Sequence, residues 1–213
     1  MMPSRAAASS KASSISPSDG PRKGYVVVGP RRAMSLEPGM TAPDFHLPNA
    51  NANHGPSAMN LDAARGEHGT IVVFECNHCP YVVASVGRLN AMADHAASIG
   101  VGFVGINSND PVVYENDSWE NMVKRTEGDM PYPYLHDAEQ TVAKAWGAER
   151  TPEVYLLDTD NVVVYRGRMD DSPKDPGQVT VEDLRVALDA MLSGDAPAVD
   201  RTQSIGCSVK WKA

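Results

Sequence analysis

Two cysteines and a proline, Cys76-Asn77-His78-Cys79-Pro80, directly follow the mostly apolar run Thr70-Ile71-Val72-Val73-Phe74-Glu75. A strand that ends in Cys-x-x-Cys-Pro and continues into helix-forming sequence sets both sulfurs on the first turn of a helix. There, unpaired backbone N–H groups and the helix dipole favour an anion. The anion in question is a thiolate, the species that attacks disulfides and peroxides, and such a setting draws a cysteine pKa from about 8.5 into the range ~3.5 to 7.5. His78 lies between the sulfurs. An imidazole at that position either donates to a thiolate and favours the reduced form, or is a solvated turn residue. A structural zinc site would need two further ligands at close spacing. Cys207 stands alone and His46, His54, His68, His95 and His136 form no such pair, so no metal and no cofactor is assigned.

The elements that must carry these residues follow from periodicity. Residues 70–75 form a buried strand. Val82, Val83, Val86, Leu89, Met92 and Ala93 recur at spacings of three and four, which predicts an amphipathic helix running to about Ala97. Val101 to Ile106 is a second buried strand, completing a β-α-β unit with parallel strands. Residues 107–131 read as a polar loop with a helix around Trp119 to Arg125. Tyr134-Leu135-His136 is extended, Glu139 to Trp146 is helical, and Gly147 is a C-cap. Glu153 to Leu157 and Val162 to Arg166 flank the turn Asp158-Thr159-Asp160-Asn161 and pair antiparallel. Val181 to Leu192 is a helix, and residues 197–213 form a tail. Glu37 to Leu47 is an approach loop into a short edge strand. Trp119, Trp146, Tyr132 and Tyr134 are assigned to packing.

Composition bounds the rest. The 213 residues are 42% hydrophobic, enough for one sizeable core. No apolar stretch approaches the ~20 residues of a membrane span. The net charge of −8 gives no general attraction to phosphate backbones or anionic lipid, so neither nucleic acid nor membrane is an expected partner. Residues 1–36 carry six basic side chains against Asp19 alone, a net of +5, which leaves −13 for the remainder. Rich in Ser and Ala, this segment is expected to be a disordered basic extension. It either is simply unstructured or acts as an organelle transit peptide, so the expected location is soluble and cytoplasmic, or organellar. Residues 37–213 are expected to be the folded domain.

In order along the chain, Gly39-Met40-Thr41-Ala42-Pro43-Asp44-Phe45, Cys76-Asn77-His78-Cys79-Pro80-Tyr81-Val82, Thr151-Pro152-Glu153, Tyr165 to Asp171 and Ser204 to Trp211 resemble the thioredoxin superfamily. Within it they are similar to the peroxiredoxin-like, redoxin-domain branch related to alkyl hydroperoxide reductase and thiol-specific antioxidant proteins. The resemblance implies an α/β thioredoxin-like fold, a central mixed sheet flanked by helices, with a peroxiredoxin-like insertion. It also implies that Pro152 is a cis-proline beside the active-site sulfurs and that Thr151 contacts an incoming extended substrate. Arg150 stands where many relatives carry a cysteine, which places a cation near the site.

Two mechanisms share this site. In a thiol-disulfide oxidoreductase, Cys76 is the exposed nucleophile and Cys79 resolves the mixed disulfide. In a hydroperoxide reductase, the resemblance aligns Cys79 with the peroxidatic cysteine and Cys76 with a threonine that helps to bind peroxide. Cys79 would then form a sulfenic acid that Cys76 or Cys207 traps. The missing threonine favours the first. The corresponding partners are protein or small-molecule disulfides, or hydroperoxides, together with a thiol reductant. A third alternative is a copper-handling protein, since Cu(I) suits two thiolates and a histidine; His136 is its one candidate ligand. Cys207 is either an inert small hydrophobe or, if the tail folds back, a resolving thiol.

Overall fold

The computed structural model describes residues 35–213. Its centre is a five-stranded mixed sheet in the order β5-β4-β3-β7-β8. These strands are β3 (Thr70–Phe74), β4 (Gly102–Asn107), β5 (Tyr134–His136), β7 (Glu153–Leu157) and β8 (Val163–Gly167). β3 pairs parallel with β4 and antiparallel with β7, β4 pairs parallel with β5, and β7 pairs antiparallel with β8. Being central, β3 is buried on both faces, which is why it reads as a continuous apolar run rather than an alternation. Ile71 and Val73 enter one core and Val72 and Phe74 the other, as the two-residue period of a strand requires.

Between β3 and β4 runs α2 (Pro80–Ser98). Its buried stripe is Val82, Ser85, Leu89, Ala93 and Ala96, a spacing of three and four that turns one face to the sheet. Val83, expected on that face, is 58% exposed. A helical stripe cannot hold two adjacent residues at its edge equally well, and Val82 takes the inner position. α4 (Thr141–Trp146) ends as expected at Gly147 in the left-handed conformation (φ 67°), and α3 (Trp119–Thr126) and α5 (Asp183–Leu192) complete the helical layers. Among the described residues, no helix is long and apolar enough to cross a membrane.

The expected edge strand is β1 (His46–Pro48), which pairs with β2 (Ala58–Asn60), and β2 leads directly into the one-turn helix α1 (Leu61–Ala64). Trp119, expected to pack, is 36% exposed and stacks over the buried His136. The disorder expected over 1–36 falls almost wholly outside the described residues, and its last member is in the fold: Leu36 is buried and donates its N–H to the Trp146 carbonyl at 3.0 Å. The tail folds back. It returns to the sheet end, where β9 (Cys207–Ser208) pairs antiparallel with β6 (Arg150–Thr151).

Candidate active site

The helix start decides how the two sulfurs differ. Pro80 has no N–H to lose at the first helical position, so it opens α2 and Cys79 becomes the N-cap. Cys76 lies in the loop between β3 and that cap. The helix terminus therefore acts on one sulfur, not on both as the spacing suggested. Both cysteines are fully buried, while Cys207 is partly exposed. This overturns the expectation that Cys76 is exposed: its loop is folded under neighbouring residues rather than turned out at the helix start.

Opposite them, the Thr151–Pro152 bond is cis. The Thr151 hydroxyl lies 3.4 Å from the Cys76 sulfur, and the Thr151 carbonyl accepts from the Cys79 thiol at 3.1 Å. A buried ion pair holds this loop. Arg166 pairs with Glu153 and donates to the Gly147 carbonyl at 2.7 Å, while the other Glu153 oxygen accepts the N–H groups of Glu149 and Arg150. Arg150 itself is exposed and donates to the Gly206 carbonyl at 3.3 Å, so this cation braces the tail.

The tail completes the enclosure. Thr151 pairs with Cys207 across β6 and β9, so the backbone edge expected to receive a substrate is filled by the protein's own strand. Gly206 is required for this approach. A Cβ there would lie 2.1 Å from the Thr151 carbonyl oxygen, so it is closeness of backbones, rather than a sharp turn, that demands glycine. Gly206→Ala is accordingly expected to lower stability by about 1–3 kcal/mol and to speed alkylation of Cys207, as urea midpoints and iodoacetamide labelling would show.

The Cys79 thiol is drawn down to about 4, foremost by the hydrogen bond from the Cys76 thiol. Burial opposes this, and the Cys207 thiol and the backbone of Val82 and Cys207 support it. Cys76 is pushed up by the same pairing with Cys79, then by burial and by the Asp117 charge. Cys207 is pushed up to about 11 by burial and then by Cys79. As a thiol, Cys79 gains the Thr151 carbonyl as its one acceptor; as a thiolate it gains several donors. The donors outweigh the carbonyl, so Cys79 is drawn down while Cys76 is pushed up.

Two buried networks hold the Cys-x-x-Cys loop. Asp117, fully buried in a 3₁₀ turn, accepts from the Asn77 N–H at 2.7 Å, His78 Nδ1 at 2.6 Å, Asn107 at 3.2 Å and Asn109 at 2.9 Å. His78 thus turns to Asp117 and stacks on Tyr114 with ring centroids 5.1 Å apart. Atoms of Cys76, His78 and Asp117 lie within 4.8 Å of one another, but the carboxylate is already occupied by four donors and serves as an anchor for the loop. His136, named for copper, joins no such group with the cysteines among the described residues; burial pushes it below the usual histidine range. Asp117→Asn would set an amide donor against these donors and is expected to cost about 1–3 kcal/mol in urea unfolding.

The second network starts at Glu75, which is fully buried, pairs with Arg125 and accepts from the Tyr132 hydroxyl at 2.9 Å. Arg125 also donates to the Cys76 carbonyl at 2.8 Å, and the Tyr134 hydroxyl meets the Asn77 side chain at 2.9 Å. Burial pushes the Tyr132 and Tyr134 hydroxyls well above the ordinary phenol range, so both remain donors. Sequence reasoning missed Asp117, Glu75 and Arg125. The available signals were a carboxylate closing an apolar strand run and the polar cluster Asn107-Ser108-Asn109-Asp110 that begins on the last residue of β4, the sheet end where sites form in open α/β folds.

With this geometry the chain falls in the class of thioredoxin-fold proteins with redox thiol chemistry. It belongs to the Redoxin family, whose profile matches residues 37–186. A crystal structure of an uncharacterized conserved protein from Geobacillus kaustophilus is 42% identical, with a TM-score of 0.77 over 84% of this chain and 94% of that one. A hypothetical protein from Sinorhizobium meliloti 1021 is 36% identical, with a TM-score of 0.76 over 84% of this chain and 97% of that one. A peroxidoxin from Mycobacterium tuberculosis shares the fold at 21% identity, with a TM-score of 0.54 over 74% of this chain and 95% of that one. No curated protein matched the chain.

Proposed function

We propose that the protein is a thiol-disulfide oxidoreductase whose working couple is Cys76/Cys79. The observation that carries this reading is the placement of the two sulfurs, Cys79 at the N-cap of α2 and both within reach of Thr151 beside its cis bond to Pro152, and their opposite pKa directions agree with it. In this reading Cys79 attacks the incoming disulfide, releasing one thiol. Cys76 then gives up its proton and attacks Cys79, releasing the second thiol and leaving a Cys76–Cys79 disulfide. A thiol reductant restores the pair. Thr151 lines the site through its hydroxyl and carbonyl, and Arg125 and Asp117 hold the loop from below.

A second reading, thiol-dependent hydroperoxide reduction, is favoured by one feature: the sulfur with the lowered pKa is Cys79, the one that aligns with a peroxidatic cysteine. Cys76 would then trap the sulfenic acid as a disulfide, with loss of water. Against it, Cys76 occupies the place of the peroxide-binding threonine. The two separate in one experiment. Reduced protein is mixed with oxidised glutathione in one arm and hydrogen peroxide in the other, and disulfide formation is followed by mass mapping. The oxidoreductase reading requires a Cys76–Cys79 bond and faster reaction with the disulfide. Faster reaction with peroxide would replace it by the second.

A further inference from the structure

Three sulfurs meet at the site, and only one of them touches solvent. Cys76 and Cys79 have no exposed surface, whereas Cys207 is partly exposed. Cys207 pairs with Thr151, whose carbonyl accepts from the Cys79 thiol, and packs against the core cluster that contains Cys76 and Cys79. The segment bearing Cys207 is built into the fold. Val209 is buried and donates to the Glu149 carbonyl at 3.0 Å. Lys210 donates to Asn109 at 2.8 Å and its carbonyl accepts from Asp110 and Gln140, and Lys212 donates its N–H to Gln140 at 2.8 Å. A strand so fastened on the Thr151 edge leaves no room for an extended polypeptide to pair there.

We propose that Cys207 is the port through which small thiols and small disulfides in solution exchange electrons with the buried Cys76–Cys79 couple. The proposal rests on the dithiol reading above, adds its substrate class, and replaces direct attack by Cys79 with a relay through Cys207, since Cys79 has no exposed surface. When the couple is oxidised, the Cys207 sulfur attacks the Cys79 sulfur. The Cys79–Cys207 bond forms, the Cys76–Cys79 bond breaks, and Cys76 leaves with the electron pair and takes up the proton that Cys207 releases. A thiolate from solution then attacks the exposed Cys207 sulfur and expels Cys79 as a thiolate. A second small thiol attacks the outer sulfur of that mixed disulfide, releasing Cys207 and a small disulfide. Two small thiols are oxidised and the couple is reduced by two electrons. Run backwards, the same steps reduce a small disulfide.

The acidities suit the step that expels Cys79. The lower-pKa thiol leaves faster, and Cys79 is the most acidic of the three. The hydrogen bond and charge of Cys79 that raise Cys207 exist only while the couple is reduced; once it is oxidised, burial still raises Cys207 but Cys79 no longer adds to it against Lys210 and Lys174, which lower it. Those lysines also favour a thiol that carries carboxylates, so glutathione is the probe.

The test uses the full chain, oxidised and mixed with glutathione, with quenching by an alkylating reagent and mass mapping. Cys207→Ser and, as a second variant of different polarity, Cys207→Ala should each slow reduction of the Cys76–Cys79 bond by about tenfold or more. Cys76→Ser, oxidised with diamide, should accumulate a Cys79–Cys207 bridge. Reduced wild-type protein should reduce oxidised glutathione but not insulin. Reduction as fast in both Cys207 variants as in the wild type overturns the port, as does the lack of the bridge in Cys76→Ser, or insulin reduction that outpaces glutathione reduction. If oxidised wild-type protein holds no Cys76–Cys79 bond, the dithiol reading fails and the port with it.

Discussion

Cys79→Ser is expected to remove disulfide turnover almost entirely, a fall of about a thousandfold or more, as happens when one member of a concerted catalytic unit is lost. In the wild type this is the sulfur that both Cys76 and Cys207 must reach. Serine at the N-cap would still cap α2, so the helix should persist while the chemistry disappears. Cys76→Ser should fail in a different way. Cys79 can still take up the disulfide, but without its neighbour the reaction halts at a Cys79–Cys207 bridge. Thiol release from oxidised glutathione would therefore stop at that bridge in Cys76→Ser and at a mixed disulfide on Cys207 in Cys79→Ser. Equal turnover in Cys79→Ser and the wild type would contradict the assignment.

Arg125→Ala should have the largest effect on stability. It leaves the fully buried Glu75 carboxylate without its cation, and breaking a buried pair from one side costs about 3–5 kcal/mol. The Cys76 carbonyl loses its guanidinium donor in the same change, so the loop should loosen and Cys76 should become reactive to iodoacetamide. The attribution can be checked by adding Glu75→Gln to Arg125→Ala, since a neutral amide needs no counter-charge. The double variant should recover part of the loss in urea unfolding. No recovery would mean that Arg125 acts through packing on Tyr134, over whose ring it lies at 5.0 Å.

What the sequence discloses and what it hides divide along the reach of the interactions. The β3-α2-β4 unit is legible because a buried run, a three-four stripe and a second buried run are each local patterns. So is the hairpin around Asp158 to Asn161, whose turn chemistry lies within four residues. Residues 58–64 escape because three residues of strand and four of helix do not complete enough periods to show a pattern. The Cys-x-x-Cys announces thiol chemistry, but which cysteine carries the charge depends on Cys207, Val82 and Asp117, two of them distant in the chain. The pairing of Thr151 with Cys207 is likewise a contact across some fifty residues that no local pattern encodes. Asp117 is hidden because an acid in a polar loop resembles every other loop acid until the fold buries it.

The central claim is that the reduced couple holds one negative charge on Cys79 and one proton on Cys76. Its most direct test is the pH dependence of the reduction potential of the Cys76–Cys79 couple. Reduction then takes up one proton for two electrons, so the potential should fall by about 30 mV per pH unit between about pH 5 and about pH 8. It should steepen only as pH drops through about 4, where Cys79 itself takes up a proton. A slope near ~59 mV per pH unit across the neutral range would mean two protons taken up and no thiolate on Cys79, and would contradict the account.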